Sequence, residues 1–101
     1  MKIIEKISER IGEEINDART YALLALETRD DYPDLSRTLY TISQQEMDHK
    51  RMLHDAIASV IAEYRQEHGD PPEKMMAVYE YMHNQHIAQA VEARNIQAMY
   101  K

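Results

Sequence analysis

Apolar residues recur along this chain every three or four positions, the period of a helix that buries one stripe. The first run, Ile4, Ile7, Ile11, Ile15, Ala18, Ala22 and Ala25, predicts a helix over about residues 2–29. The second, Leu35, Leu39, Ile42, then Leu53, Ile57, Val60 and Tyr64, predicts a helix over about 33–68. A third face, Met75, Tyr79, Met82, His86, Ala90 and Ala93, predicts a helix over 71–100. The second run has a gap, and its spacing carried through the gap lands on Glu46 and His49. A carboxylate and an imidazole standing where leucines belong mark the first candidate for chemistry.

The breaks between the runs fit this reading. In Arg29-Asp30-Asp31-Tyr32-Pro33, either Asp31 or the following Asp34 can cap the second helix. Gly69 is a natural left-handed stop. Asp70-Pro71-Pro72-Glu73 reads as an N-cap, prolines in the first turn and a glutamate at the capping-box position. The short first loop makes the first two helices an antiparallel hairpin over residues 2–68. The expected fold is therefore all-α, a single domain over 1–101 with a long hairpin and a third, C-terminal helix.

A turn centred near residue 31 sets Glu14 opposite residue 48, level with Glu46 and His49. At about 100° per residue, Glu46 and His49 fall within the apolar sector of their helix. Glu14 falls near the edge of its own, while Glu13 points to the opposite side. Glu14, Glu46 and His49 are expected to converge inside the hairpin, with no Lys or Arg on the inner face at that level.

Composition narrows what this cluster could do. The 101 residues suffice for one domain, and three helices of this size make a thin core that a metal or a partner would help. With no cysteine there is no disulfide, no thiolate metal site and no thiol nucleophile. A formal net charge of −6 argues against a nucleic-acid partner. No apolar run approaches the ~20 residues of a membrane span, and the start does not read as a signal peptide, so a soluble, cytoplasmic protein is expected.

Burying unpartnered carboxylates costs several kcal/mol, so something should neutralise Glu14 and Glu46. Two hairpins packed as a homodimer would bring together four Glu and two His, enough negative charge for two divalent cations. One Glu from each of two helices and one Glu-x-x-His from each of two more is the di-metal set of ferritin-like four-helix bundles. Oxygen and imidazole donors without sulfur suit iron or manganese rather than structural zinc.

Glu14 with Ala18, Arg19 and Tyr21, followed by Gln45-Glu46-Met47-Asp48-His49-Lys50-Arg51-Met52-Leu53, resembles the half-motif of rubrerythrin-type ferritin-like proteins. With one hairpin per chain, it is most similar to the encapsulated-ferritin branch, and the resemblance covers roughly residues 3–64. It implies a dimer or higher homo-oligomer, a di-iron site shared between two chains, and oxidation of Fe(II) by oxygen or peroxide. It also implies Glu46 as bridging carboxylate, with Glu14 and His49 as terminal ligands and catalytic residues. Tyr21, two turns after Glu14, is a candidate hydrogen-bond donor behind them, although ordinary packing is the commoner role. The chain departs from the pattern in three ways. It has no second Glu…Glu-x-x-His half and no four-cysteine iron centre, and Ala98-Met99-Tyr100-Lys101 does not look like the tail that directs cargo into encapsulin shells.

The remaining candidates read as structural. Glu80 and His83 repeat the Glu-x-x-His spacing but lie at the edge and flank of the third stripe, a chance match. His86 is central there and reads first as a core histidine, then as an inter-subunit contact or a ligand on a metal's way in. His54 and His68 read as surface, the seven Met as gap-fillers, and Glu13, Asp17 and Asp48 as a solvated acidic face. Two function classes stand: a ferritin-like ferroxidase, or a metal-free helical dimer serving as an assembly or interaction module. A di-metal peroxidase or oxygenase is the alternative within the first.

Overall fold

The computed structural model describes residues 2–101, and these form three α-helices and no strand. They are α1 (Lys2–Thr28), α2 (Pro33–His68) and α3 (Glu73–Ala98). At a rise of about 1.5 Å per residue, the 36 residues of α2 account for the long axis of a rod measuring 56 × 18 × 18 Å. The first two helices form the expected hairpin, and α3 packs along α1. Among the described residues, no helix is long and apolar enough to cross a membrane.

The α1 stripe is buried as its spacing predicts: Ile4, Ile11, Ile15, Ala18, Ala22 and Ala25 are all within the core, with Ser8 joining them and Ile7 half-buried. On α3 the C-terminal half of the predicted face is buried, through His86, Ala90, Ala93 and Ile96, while Met75, Tyr79 and Met82 are half-buried.

On α2 the expected seam is displaced over its first half, while Ile57 of the predicted row is buried as expected. The residues the helix buries are Ser36, Ser43, Ile57 and Ile61, whereas Leu35 is 48% exposed and Leu39, Ile42, Leu53 and Val60 are only half-buried. The cause is the small-residue stretch of α1. Ala18, Ala22 and Ala25 let the helices approach closely, and only small side chains on α2 fit the gap. The serine hydroxyls then meet backbone: Ser36 Oγ donates to the Ala25 carbonyl and Ser43 Oγ to the Ala18 carbonyl, each at 2.6 Å. Gln97 Nε2 of α3 donates to Ser43 Oγ at 2.8 Å, so one hydrogen-bonded chain ties the three helices together. Tyr100 closes the same end by stacking on Tyr40, with ring centroids 4.2 Å apart.

The helix caps also differ from expectation. Tyr32 and Pro72 occupy the two N-cap positions and neither supplies a side-chain hydrogen bond, so Asp31, Asp34 and Asp70 cap nothing. Asp34 instead pairs with Arg37 within the first turn of α2, and Asp70 lies 3.6 Å from Arg65. The prolines precede α3 rather than opening it: Pro72 is the N-cap, and its ψ of 137° at φ −53° lies outside the helical region. Gly69 takes the positive φ expected of a stop, but at φ 78°, ψ −161°, a region essentially reserved for glycine.

Ser43→Val should test the serine register. The larger side chain overfills the α1–α2 gap and strands the Gln97 amide, lowering unfolding free energy by about 1–3 kcal/mol in urea titrations.

Candidate metal centre

Glu14 comes from the middle of α1, and Glu46 and His49 come from one turn of α2. The hairpin places them side by side, as its turn position requires. One ligand atom from each of the three lies within 4.8 Å of the other two, and no other group of three His, Asp or Glu side chains among the described residues does the same. His49 Nδ1 is 3.7 Å from Glu14 Oε2 and 4.0 Å from Glu46 Oε2. Metal bonds to oxygen and nitrogen of about 2.0–2.2 Å allow donors to stand up to about 4.3 Å apart across an ion. Both measured separations fit that limit.

The cluster lies on the open side of the hairpin rather than inside it. The side chains of Glu14 and Glu46 are 14% and 17% exposed, but that of His49 is 54% exposed. This follows from the displaced α2 seam. Once Ser36 and Ser43 turn inward, the row Leu35, Leu39, Ile42, Glu46, His49, Leu53 faces outward. On α1 a row of similar spacing, Ile3, Ile7, Arg10, Glu14, Tyr21 and Leu24, flanks it. The cluster therefore sits midway along a two-helix face of partly exposed apolar residues. At one end of that face, Ile3, Ile7, Leu53, Ala56 and Val60, with Ile4 and Ile57 beneath, line an all-apolar cavity of about 70 Å³.

Two carboxylates this close do not both ionise freely. A hydrogen bond with Glu14 favours the protonated form of Glu46 and raises its pKa to about 7, with burial and the charges of Glu14 and Asp17 adding to the rise and His49 opposing it. Two charged neighbours escaped the sequence reading. Arg10, one turn before Glu14, brings a guanidinium nitrogen to 3.8 Å from the Glu14 carboxylate while pairing with Glu13 at 2.5 Å. A cation therefore does stand at this level. Asp17, read as part of a solvated face, is near enough to act on Glu46. Both lie one turn from Glu14, spacing that could have revealed them.

The other sequence candidates divide clearly. Tyr21 is half-buried on the same row of α1. Glu80 is exposed, His83 stacks between His54 and Tyr79, and neither joins a three-donor cluster among the described residues. His86 is a buried histidine of the α1–α3 contact, and Gly12 makes room for it: a Cβ there would stand 3.2 Å from His86 Nε2. His68 is exposed as expected, whereas His54 is half-buried against His83.

No protein-family profile, curated protein or solved structure matches the chain.

The raised Glu46 pKa fixes a pH dependence for the metal-free protein. A carboxyl whose folded pKa lies above its unfolded value stabilises the fold below the unfolded pKa, and that contribution is lost as pH rises through the folded pKa. For Glu46 this window runs from 4.5 to about 7. Metal-free protein should lose stability across it, and Glu46→Gln should flatten the loss, as read from urea midpoints at each pH.

Proposed function

We propose that this chain is a ferritin-like iron-binding protein whose di-iron centre is completed when two copies meet across the α1–α2 face, and that it oxidises Fe(II). The observation that carries the reading is the placement of Glu14, Glu46 and His49. Their donors lie within 4.8 Å of one another, at the centre of an outward row that otherwise consists largely of apolar residues.

The chemistry of the donors supports iron or manganese. Two carboxylates and one imidazole per chain are hard and borderline ligands without sulfur. A single chain offers three donors and leaves His49 open to solvent. A second copy packed face to face would cover the exposed leucines and supply the other three. Fe(II) is the substrate in this reading, each ion losing one electron to oxygen or peroxide.

What the protein residues do follows from their charges. Glu46 and, from the facing helix, Glu14 would hold the iron through their carboxylates, Glu46 giving up its proton and Glu14 its contact with Arg10. His49 would bind through an unprotonated ring nitrogen. The apolar row around the cluster excludes water from its partner-facing side.

One observation favours the metal-free assembly module. With Glu46 protonated near neutrality and Arg10 beside Glu14, the pair has a charge balance that needs no metal. The two readings part on metal content. Protein loaded anaerobically with Fe(II) should hold about one ion per chain by the ligand count, Glu46→Ala should abolish binding, and loading should raise the melting temperature by mass action. Wild-type protein that remains metal-free with an unchanged melting temperature would sink the ferroxidase reading and leave the module.

The dimer has its own test, away from the ligands. Leu24 and Leu35, 37% and 48% exposed, flank the hairpin turn on the proposed face. Leu24→Lys/Leu35→Lys should sediment as a monomer with unchanged helical circular dichroism, and should lose Fe(II) oxidation although every ligand is present.

A further inference from the structure

We propose a second site, independent of the iron reading: a small tetrahedral oxyanion, such as sulfate or phosphate, binds in the cavity between the middle of α2 and α3. The cavity has a volume of about 180 Å³ and is lined by Lys50, Arg51, His54, His83 and His86, closed by Ile11 and Ile87. In a chain carrying 18 acidic and 12 Lys or Arg residues, this lining contains no acid.

The surroundings reinforce the sign. Lys50 stands near Arg51 and Arg94. The charged groups that act on His83 are His54 and Lys50, and those that act on His86 are His83, Lys50 and His54. Two acids answer part of this charge from outside the lining: Asp48 holds Arg51 at 2.8 Å and Asp55 lies 3.8 Å from His54, while no ion pair among the described residues involves Lys50. Concentrating cations in a partly buried hollow is unfavourable unless an anion answers them.

The hollow is also built. His86 is buried at its wall, its ring packed on the α1 side against Gly12, where a Cβ would stand 3.2 Å from Nε2. His83 is held by stacking on His54 at 5.0 Å and on Tyr79 at 5.9 Å between centroids. Size selects the ligand class. The volume corresponds to about six waters at ~30 Å³ each, and organic ligand pockets start at about 300 Å³. A transition metal fits less well: the three imidazoles do not bring their nitrogens within 4.8 Å of one another, and Lys50 and Arg51 repel it.

Protonation should tighten binding. Burial and the cationic neighbours hold His83 and His86 below the ordinary 6.5, so their positive charge develops only as pH falls below that value. His54, Lys50, Arg51 and Tyr79 face His83. His86 has the same basic groups on one side and, across the α1–α3 groove, Glu9, Glu13, Asp17, Arg19 and Glu92 on the other.

The test uses chelator-treated, metal-free full-length protein, so a failed iron reading leaves it intact. Sulfate is titrated at constant ionic strength against chloride while histidine ring resonances are followed by NMR; its charge does not change between pH 5.5 and 8, so any pH dependence belongs to the protein. His83 and His86 should shift saturably, tighter at the lower pH, while His68 stays still. Lys50→Gln should need roughly tenfold more sulfate, as for loss of one charge-assisted hydrogen bond. Arg94→Gln, at an exposed position, provides a second variant and should also weaken binding. Parallel unsaturating shifts of all the histidines, the same response to chloride, or wild-type binding by both variants would overturn the site.

Discussion

The close approach of α1 and α2 at their small residues governs the rest of the molecule. Ala18, Ala22 and Ala25 on one helix and Ser36 and Ser43 on the other leave no room for leucine between them. The serine hydroxyls donate to helix carbonyls, so their burial leaves no unsatisfied group. That contact sets the rotation of α2 about its axis. Rotation decides which row faces the partner helices and which faces out, and the outward row is the one bearing Glu46 and His49.

The same rotation moves a buried-charge problem to the edge of the hairpin. Deep inside a hairpin, Glu14 and Glu46 would need full compensation within one chain. At the edge of the hairpin they are compensated partly, by Arg10 at 3.8 Å and by the proton that Glu46 retains up to about 7. The flanking row, with Leu35 48% exposed and a small apolar cavity beside Leu53, has the same character in its packing.

Charge is segregated along the rod. Carboxylates gather around Glu14, Glu46 and Asp17, while Lys50, Arg51 and the histidines of α2 and α3 gather on the other side of α2. Glu46, His49 and Lys50 are near neighbours in sequence, yet successive helix positions point about 100° apart. A single turn of α2 therefore carries part of an acidic cluster on one side and part of a basic hollow on the other.

Much of this was legible in the sequence. The three helices, the hairpin, the α1 stripe and the convergence of Glu14 with Glu46 and His49 follow from spacing and loop length, because periodicity and a short turn leave few other arrangements. What periodicity could not give is which of two adjacent rows on α2 forms the seam. Leu35, Leu39 and Ile42 are the more apolar row, and hydrophobicity alone assigns them inward. Ser36 and Ser43 go inward instead, since close helix packing is limited by side-chain volume and a hydroxyl can be satisfied by a carbonyl across the gap. Arg10 beside Glu14, the raised pKa of Glu46 and the meeting of His54 with His83 likewise depend on distances between side chains. The sequence by itself determined the helices and the three ligand candidates, since those are properties of one-dimensional spacing. Only the tertiary structure decided that the candidates face outward, because the depth at which two helices pack is set by atoms in contact.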